Sequence, residues 1–129
     1  QARELDLSDH VYFPGAIFGP EKQWLLENCR FFLLPSRIEG MPLTALEAMA
    51  CGKAIVASDI DGVRDLVRPG ETGWLSPSEN PQALANTIAA ALDQPEEMQR
   101  LAQRAKQFSQ DYSWTTITQR YVALYNSLL

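Results

Sequence analysis

EGMPLTALEAMACG, residues 39–52, follows a strand-like run and opens a short helix, and the fold turns on how it is read. From Gly40 to Gly52 the only ionisable side chain besides Cys51 is Glu47, set among Leu43, Ala45, Leu46, Ala48, Met49 and Ala50. A helix that is apolar nearly all round is a buried one, and a carboxylate inside it is costly unless a donor is supplied. Glu47 therefore calls for a partner. Pro42 suits the first helical position and Gly52 the C-terminal stop, which leaves Glu39 in the loop before the helix. The stretch offers one carboxylate at a helix mouth, free N–H groups in the first turn, and a second carboxylate about a turn further in. An anion fits at such a mouth. Two carboxylates beside it suit a ligand carrying both phosphate and hydroxyl groups, such as a sugar nucleotide.

Working outward, Phe31–Leu34 is a continuous apolar run stopped by Pro35, which reads as a strand covered on both faces. Val11–Phe13 reads as an earlier short strand ending at Pro14-Gly15, and Glu21–Asn28 as a helix between the two. After the central helix, Ala54–Ala57 is a third strand, Ser58–Gly62 a turn, Val63–Val67 a short helix, and Trp74-Leu75 a last brief strand beyond the turn Arg68–Gly73. Strand and helix alternate, which indicates a parallel α/β sheet of about four short strands. From Asn80 the chain turns helical. Ala83, Leu84, Ile88, Ala91 and Leu92 form one stripe, and Met98, Leu101, Ala105 and Phe108 another after Pro95. Ser113 caps a final helix whose Trp114, Ile117, Tyr121, Leu124, Tyr125 and Leu128 recur at helical spacing, a stripe expected to pack as core. The expected division is an α/β part, 1–79, and a helical part, 80–129.

The totals narrow the classes. Hydrophobic content of 46% and charged content of 21% over 129 residues are those of a globular chain long enough for a core. A formal net charge of -5 argues against nucleic acid or an anionic membrane as the main partner. No apolar run reaches the length of a membrane helix, and QARELDLSDH has no signal-peptide pattern. The start at Gln1 rather than Met reads as an excised piece. Cys29 and Cys51 have no metal-ligand spacing and read as small buried thiols; no metal site is expected. His10, the one histidine, lies in a polar stretch and reads as surface, and Arg37 and Lys53, which flank the central stretch, read as solvated.

In open α/β sheets ligands collect at the carboxyl ends of strands, here the loops Ser36–Met41 and Ser58–Gly62. Gly62 either admits backbone close to a ligand or simply makes the turn. The segment PSRIEGMPLTALEAMACGKAIVASDIDGVRDLV, then GETGWLSP, then YSW before a terminal helix, resembles the C-terminal half of family 4 retaining glycosyltransferases of the group 1 type. Those enzymes have two Rossmann-like domains facing across a cleft, the GT-B fold. Their mark is a pair of glutamates separated by seven residues, here Glu39 and Glu47, and the resemblance runs from about Val11 to Leu129.

The resemblance implies the C-terminal, nucleotide-sugar-binding half of a hexosyltransferase-type enzyme of polysaccharide or glycoconjugate biosynthesis. By resemblance Glu39 lies near the donor sugar as the catalytic residue, bonding its hydroxyls or stabilising charge at the reacting centre. Glu47 accepts hydrogen bonds from the ribose, and Gly40, Met41, Leu43 and Gly62 complete the donor site. The nucleotide-sugar is a substrate, with no cofactor and no metal expected. The expected location is the cytoplasm, with any membrane association residing in the missing part. Three positions depart from the family pattern: Pro42 stands where many relatives have Gly, Asp61 replaces the first glycine of a Gly-Gly pair, and Asp65 stands where Glu is common.

Relatives also begin this domain with two further strand-helix units, preceded by an N-terminal acceptor domain, so the chain is expected to be inactive alone. In the strand order 3-2-1-4-5-6 the missing strands are 1 and 2. The Phe31 strand then has an open edge, through which the chain is expected to self-associate. Other readings stand beside the transferase: a non-catalytic sugar-nucleotide-binding or interaction module, and a GT-B-type sugar-nucleotide epimerase. A plainer account of the two glutamates is a solvated loop charge and a helix carboxylate paired with a nearby Arg or Lys.

Overall fold

The computed structural model of the chain describes residues 1–128; Leu129, the last position of the expected helical part and of the resemblance, lies outside them. The element order is α1 (Gly19–Asn28), β1 (Phe32–Leu34), α2 (Leu43–Ala50), β2 (Ile55–Asp59), α3 (Asp61–Arg64), β3 (Gly73–Pro77), α4 (Pro81–Leu92), α5 (Pro95–Ser109), a 3₁₀ turn (Gln110–Tyr112) and α6 (Trp114–Ser127). The three strands form one parallel sheet in the order β1-β2-β3. Phe32 pairs with Ile55 and Leu34 with Ala57, while Ile55 pairs with Gly73 and Ser58 with Ser76.

β2 is the axis of the core. Ile55 and Ala57 point to one face and pack with Leu34, Ala45, Met49, Val63 and Leu66. Ala54 and Val56 point to the other and pack with Ala91, Met98 and Leu101. Both faces of a central parallel strand are covered, which is why its residues are apolar without alternation. α5 spans the two sides, giving Ala105 to the first cluster and Leu101 to the second.

The α/β class stands, and several elements differ from the expectation. Val11–Phe13 is not a strand: the sheet has three strands rather than four, and Tyr12 and Phe13 are exposed. β-type residues form a strand only when a ladder partner takes their N–H and C=O groups, and among the described residues none does. β1 is covered on one face alone, with Leu34 buried and Leu33 open. The short helix expected over Val63–Val67 begins two residues earlier, because β2 continues through Asp59 and leaves Ile60 as its N-cap.

α2 is one-sided rather than buried all round. Ala45, Ala48 and Met49 face the core, while Leu43 is 63% exposed. Pro42 is its N-cap rather than its first helical residue, in extended geometry that a proline ring permits. Gly52 ends the helix as expected, in left-handed backbone (φ 71°) that only glycine adopts without cost. The largest departure is α6, which buries none of its residues; Trp114 is 86% exposed.

Candidate functional site

β1 delivers the chain to Pro35 at the carboxyl edge of the sheet, and residues 35–42 cross that edge to α2. Ser36 Oγ donates to Glu39 Oε1 at 2.6 Å, which fixes the half-buried carboxylate from within its own loop. Beyond Glu39 the backbone N–H groups of Gly40, Met41, Leu43 and Thr44 make no hydrogen bond among the described residues. The last two are first-turn donors of α2, unsatisfied as helix geometry requires. Pro42 has no N–H and interrupts the row. Its carbonyl accepts from Ala45 N at 3.0 Å, so the helix is closed immediately behind the free donors.

Glu47 sits one turn further along α2, and its partner is Lys22 of α1. Lys22 Nζ donates to Glu47 Oε1 at 2.7 Å, with the two side chains 38% and 43% exposed. The pair thus has the form of the plainer account of Glu47, and at this exposure it contributes about 0.2–1 kcal/mol. It engages one carboxylate oxygen and leaves the other without a partner among the described residues. No sequence signal identified Lys22, which is 25 residues from Glu47.

Met41, Leu43 and Glu47 share one wall of a groove of about 760 Å³, faced by Tyr112, Trp114 and Tyr121. A smaller concavity of about 270 Å³, lined by Pro35, Arg37, Ser58 and Asn80, lies over the carboxyl ends of the strands. Exposed Arg37 therefore borders a cavity, whereas Lys53 Nζ donates to Glu27 O at 2.8 Å and caps the end of α1. His10 is exposed, as expected.

Glu39, Gly40 and Gly62 meet at a different contact. α3 is braced by Arg64, whose Nε donates to Asp59 Oδ1 and whose Nη1 donates to Asp61 Oδ1, each at 2.6 Å. Its Gly62 lies directly against the Glu39-Gly40 backbone. The structure thus gathers the named residues in two groups: Glu39, Gly40 and Gly62 at the junction of the loops after β1 and β2, and Met41, Leu43 and Glu47 in the groove.

Cys29 and Cys51 are free and half-buried. Burial pushes both thiols above their ordinary pKa, and the Glu27 charge adds to this at Cys51. That makes them poor nucleophiles. Among the described residues no group of His, Cys, Asp or Glu could hold a metal ion. Among the described residues no helix is long and apolar enough to cross a membrane.

The family model described as "Glycosyl transferases group 1" matches residues 1–108. Over 105 residues the chain is 38% identical to the N,N'-diacetylbacillosaminyl-diphospho-undecaprenol alpha-1,3-N-acetylgalactosaminyltransferase of Campylobacter jejuni, covering 81% of this chain and 28% of that protein. Among solved structures it superposes on sucrose-phosphate synthase from Thermosynechococcus elongatus with a TM-score of 0.87 at 33% identity, covering 98% of this chain and 32% of that one. It also superposes on Anabaena HepE in complex with UDP-glucose with a TM-score of 0.87 at 28% identity, covering 98% and 35%. The chain spans about a third of the length of these proteins.

Proposed function

Because the chain belongs to the group 1 glycosyl transferases, we propose that it is the donor-binding half of an enzyme that moves a hexosyl group from a nucleotide-sugar to an acceptor with retention. The observation that carries the reading is the row of free N–H groups at Gly40, Met41, Leu43 and Thr44 between two carboxylates. N–H donors at a helix mouth suit a diphosphate. Glu39, beside them, meets the sugar, and the free oxygen of Glu47 accepts from the ribose while Lys22 holds the other. A relative of the same fold carrying UDP-glucose supports the ligand class.

In this reading the glycosidic bond to the diphosphate lengthens first. Positive charge grows on the sugar ring and negative charge on the leaving phosphate. The N–H row stabilises the phosphate charge, and Glu39 stabilises the ring or bonds its hydroxyls. Catalysis by this half is positioning and electrostatics rather than proton transfer, and it needs no metal or cofactor. The acceptor is held by the other domain, so this half alone binds donor without turning it over.

Calorimetric titration with UDP, GDP and ADP and their common sugar conjugates tests the reading. Binding selective for one nucleotide is expected, with Glu47→Ala weakening it about 10- to 100-fold, the worth of hydrogen bonds to a charged group. Unchanged affinity in the mutant sinks the role of Glu47. Absence of binding both here and in the intact protein sinks the donor site.

A further inference from the structure

We propose that Gly62 is a positioning residue: its missing side chain is what allows the Glu39-Gly40 backbone to seat on α3 and so sets where the Glu39 carboxylate stands. The inference rests on the assignment of Glu39 to the donor sugar and assigns Gly62 a role other than contact with the donor. Gly62 does not have the positive φ that demands glycine elsewhere in the chain. The demand is steric. A Cβ built there lies 2.6 Å from the carbonyl carbon of Glu39 and closer still to the carbonyl oxygens of Glu39 and Gly40. Restoring van der Waals separation takes a movement on the order of 1 Å.

Neither side of the contact yields easily. The obstructing atoms are backbone, so no rotamer change relieves the clash. α3 is tied to the end of β2 by Arg64, which donates to Asp59, and its Val63 is fully buried in the core. The opposing loop is held between buried Leu34 and buried Pro42. The segment from 35 to 41 is what remains to move, and Glu39 with its Ser36 bond lies in it. The neighbouring position shows the contrast. Asp61 replaces a glycine of the pair expected by resemblance, and its side chain is fully exposed. The glycine is retained where a Cβ would collide with backbone and replaced where a side chain has open space and meets only the exposed Arg64.

The first test needs no ligand. In amide correlation spectra of the chain, Gly62→Ala is expected to shift the resonances of residues 36–41 while those of Ile55–Ala57 stay in place. Shifts that leave 36–41 unmoved overturn the proposal. The second test is made in the intact protein, following release of nucleoside diphosphate from UDP-glucose, GDP-mannose or ADP-glucose. Gly62→Ala is expected to lower kcat about 100-fold, the effect of a 1 Å misplacement, with affinity for the free nucleoside diphosphate falling by less than about tenfold, because the Leu43 and Thr44 N–H groups and Glu47 lie outside the displaced segment. The double variant Glu39→Ala/Gly62→Ala should then be no slower than Glu39→Ala alone, because both losses act through one carboxylate. A Gly62→Ala chain that does not fold, or whose nucleotide affinity falls as far as its kcat, assigns Gly62 to the fold and overturns the proposal. If Glu39→Ala itself leaves turnover unchanged, the reading of Glu39 fails, while the loop displacement in the spectra is judged separately.

Discussion

β2 and α6 are built from similarly apolar residues and end in opposite environments. Ile55, Val56 and Ala57 have no accessible surface, whereas Trp114, Tyr121, Leu124 and Tyr125 are each more than half exposed. β2 lies between α2 and α3 on one side and α4 and α5 on the other, so each side chain is received by an element already fixed in the sheet or against it. α6 follows the 3₁₀ turn and leaves the body of the molecule with its apolar face open over the groove. Periodicity specifies which side chains share a face. Whether the face is buried depends on what stands opposite, and that information is not in the segment itself.

The largest way to break the contrast is a cavity in the covered region. Met49 is fully buried between α2 and the sheet, and Met49→Ala should lower unfolding free energy by about 2–5 kcal/mol, read as a fall in the urea midpoint with unchanged slope. A loss below about 1 kcal/mol would mean that this side of the sheet is more loosely packed than its zero exposure implies.

A finer comparison uses two helix caps of the same chemistry. Asn80 Oδ1 accepts from Ala83 N at 3.0 Å at the start of α4, and Ser113 Oγ accepts from Thr116 N at 3.1 Å at the start of α6. Replacing either by Ala removes about 1 kcal/mol from its own helix. α4 is docked on the sheet through buried Ala91, so Asn80→Ala should lower the global midpoint by that amount. α6 has no fully buried residue, so Ser113→Ala should fray its first turn in hydrogen exchange and leave the global midpoint in place. Equal effects on the midpoint would show that α6 unfolds with the core and is covered after all.

The elements legible in the sequence are those whose signals are local. The Gly52 stop of α2, the Pro95 start of α5 and the Ser113 cap each rest on one residue acting on its own backbone, and each is present. The elements that departed depend on a distant partner. Val11–Phe13 has strand residues and no ladder, and α6 has a stripe and no cover. The site divides in the same way. The neighbourhood of Glu39 and the free N–H groups follow from a loop entering a helix, and they were readable. Lys22 was not, because it meets Glu47 only through the packing of α1 on α2, and α1 buries no residue that would reveal its orientation. Gly62 was named, yet its reason lies in carbonyl oxygens brought to it by another loop.

The smallest expected effect is also the one that says most about α6. Tyr121 stacks on Tyr125 across one helical turn, with ring centroids 6.5 Å apart, and is 58% exposed. Loss of an exposed i, i+4 pair is worth a few tenths of a kcal/mol, so Tyr121→Ala should change the stability of the chain by less than about 0.5 kcal/mol. The measurement gains its force from being made at two protein concentrations. A small, concentration-independent change means that the aromatic face is uncovered in solution, as it is in the structure. A larger loss that grows with concentration means that a second copy lies on the face, because only an associated state ties stability to concentration. A large loss at both concentrations means that α6 folds back over the groove beside Glu47, and the open wall there would have to be redrawn as a closed one.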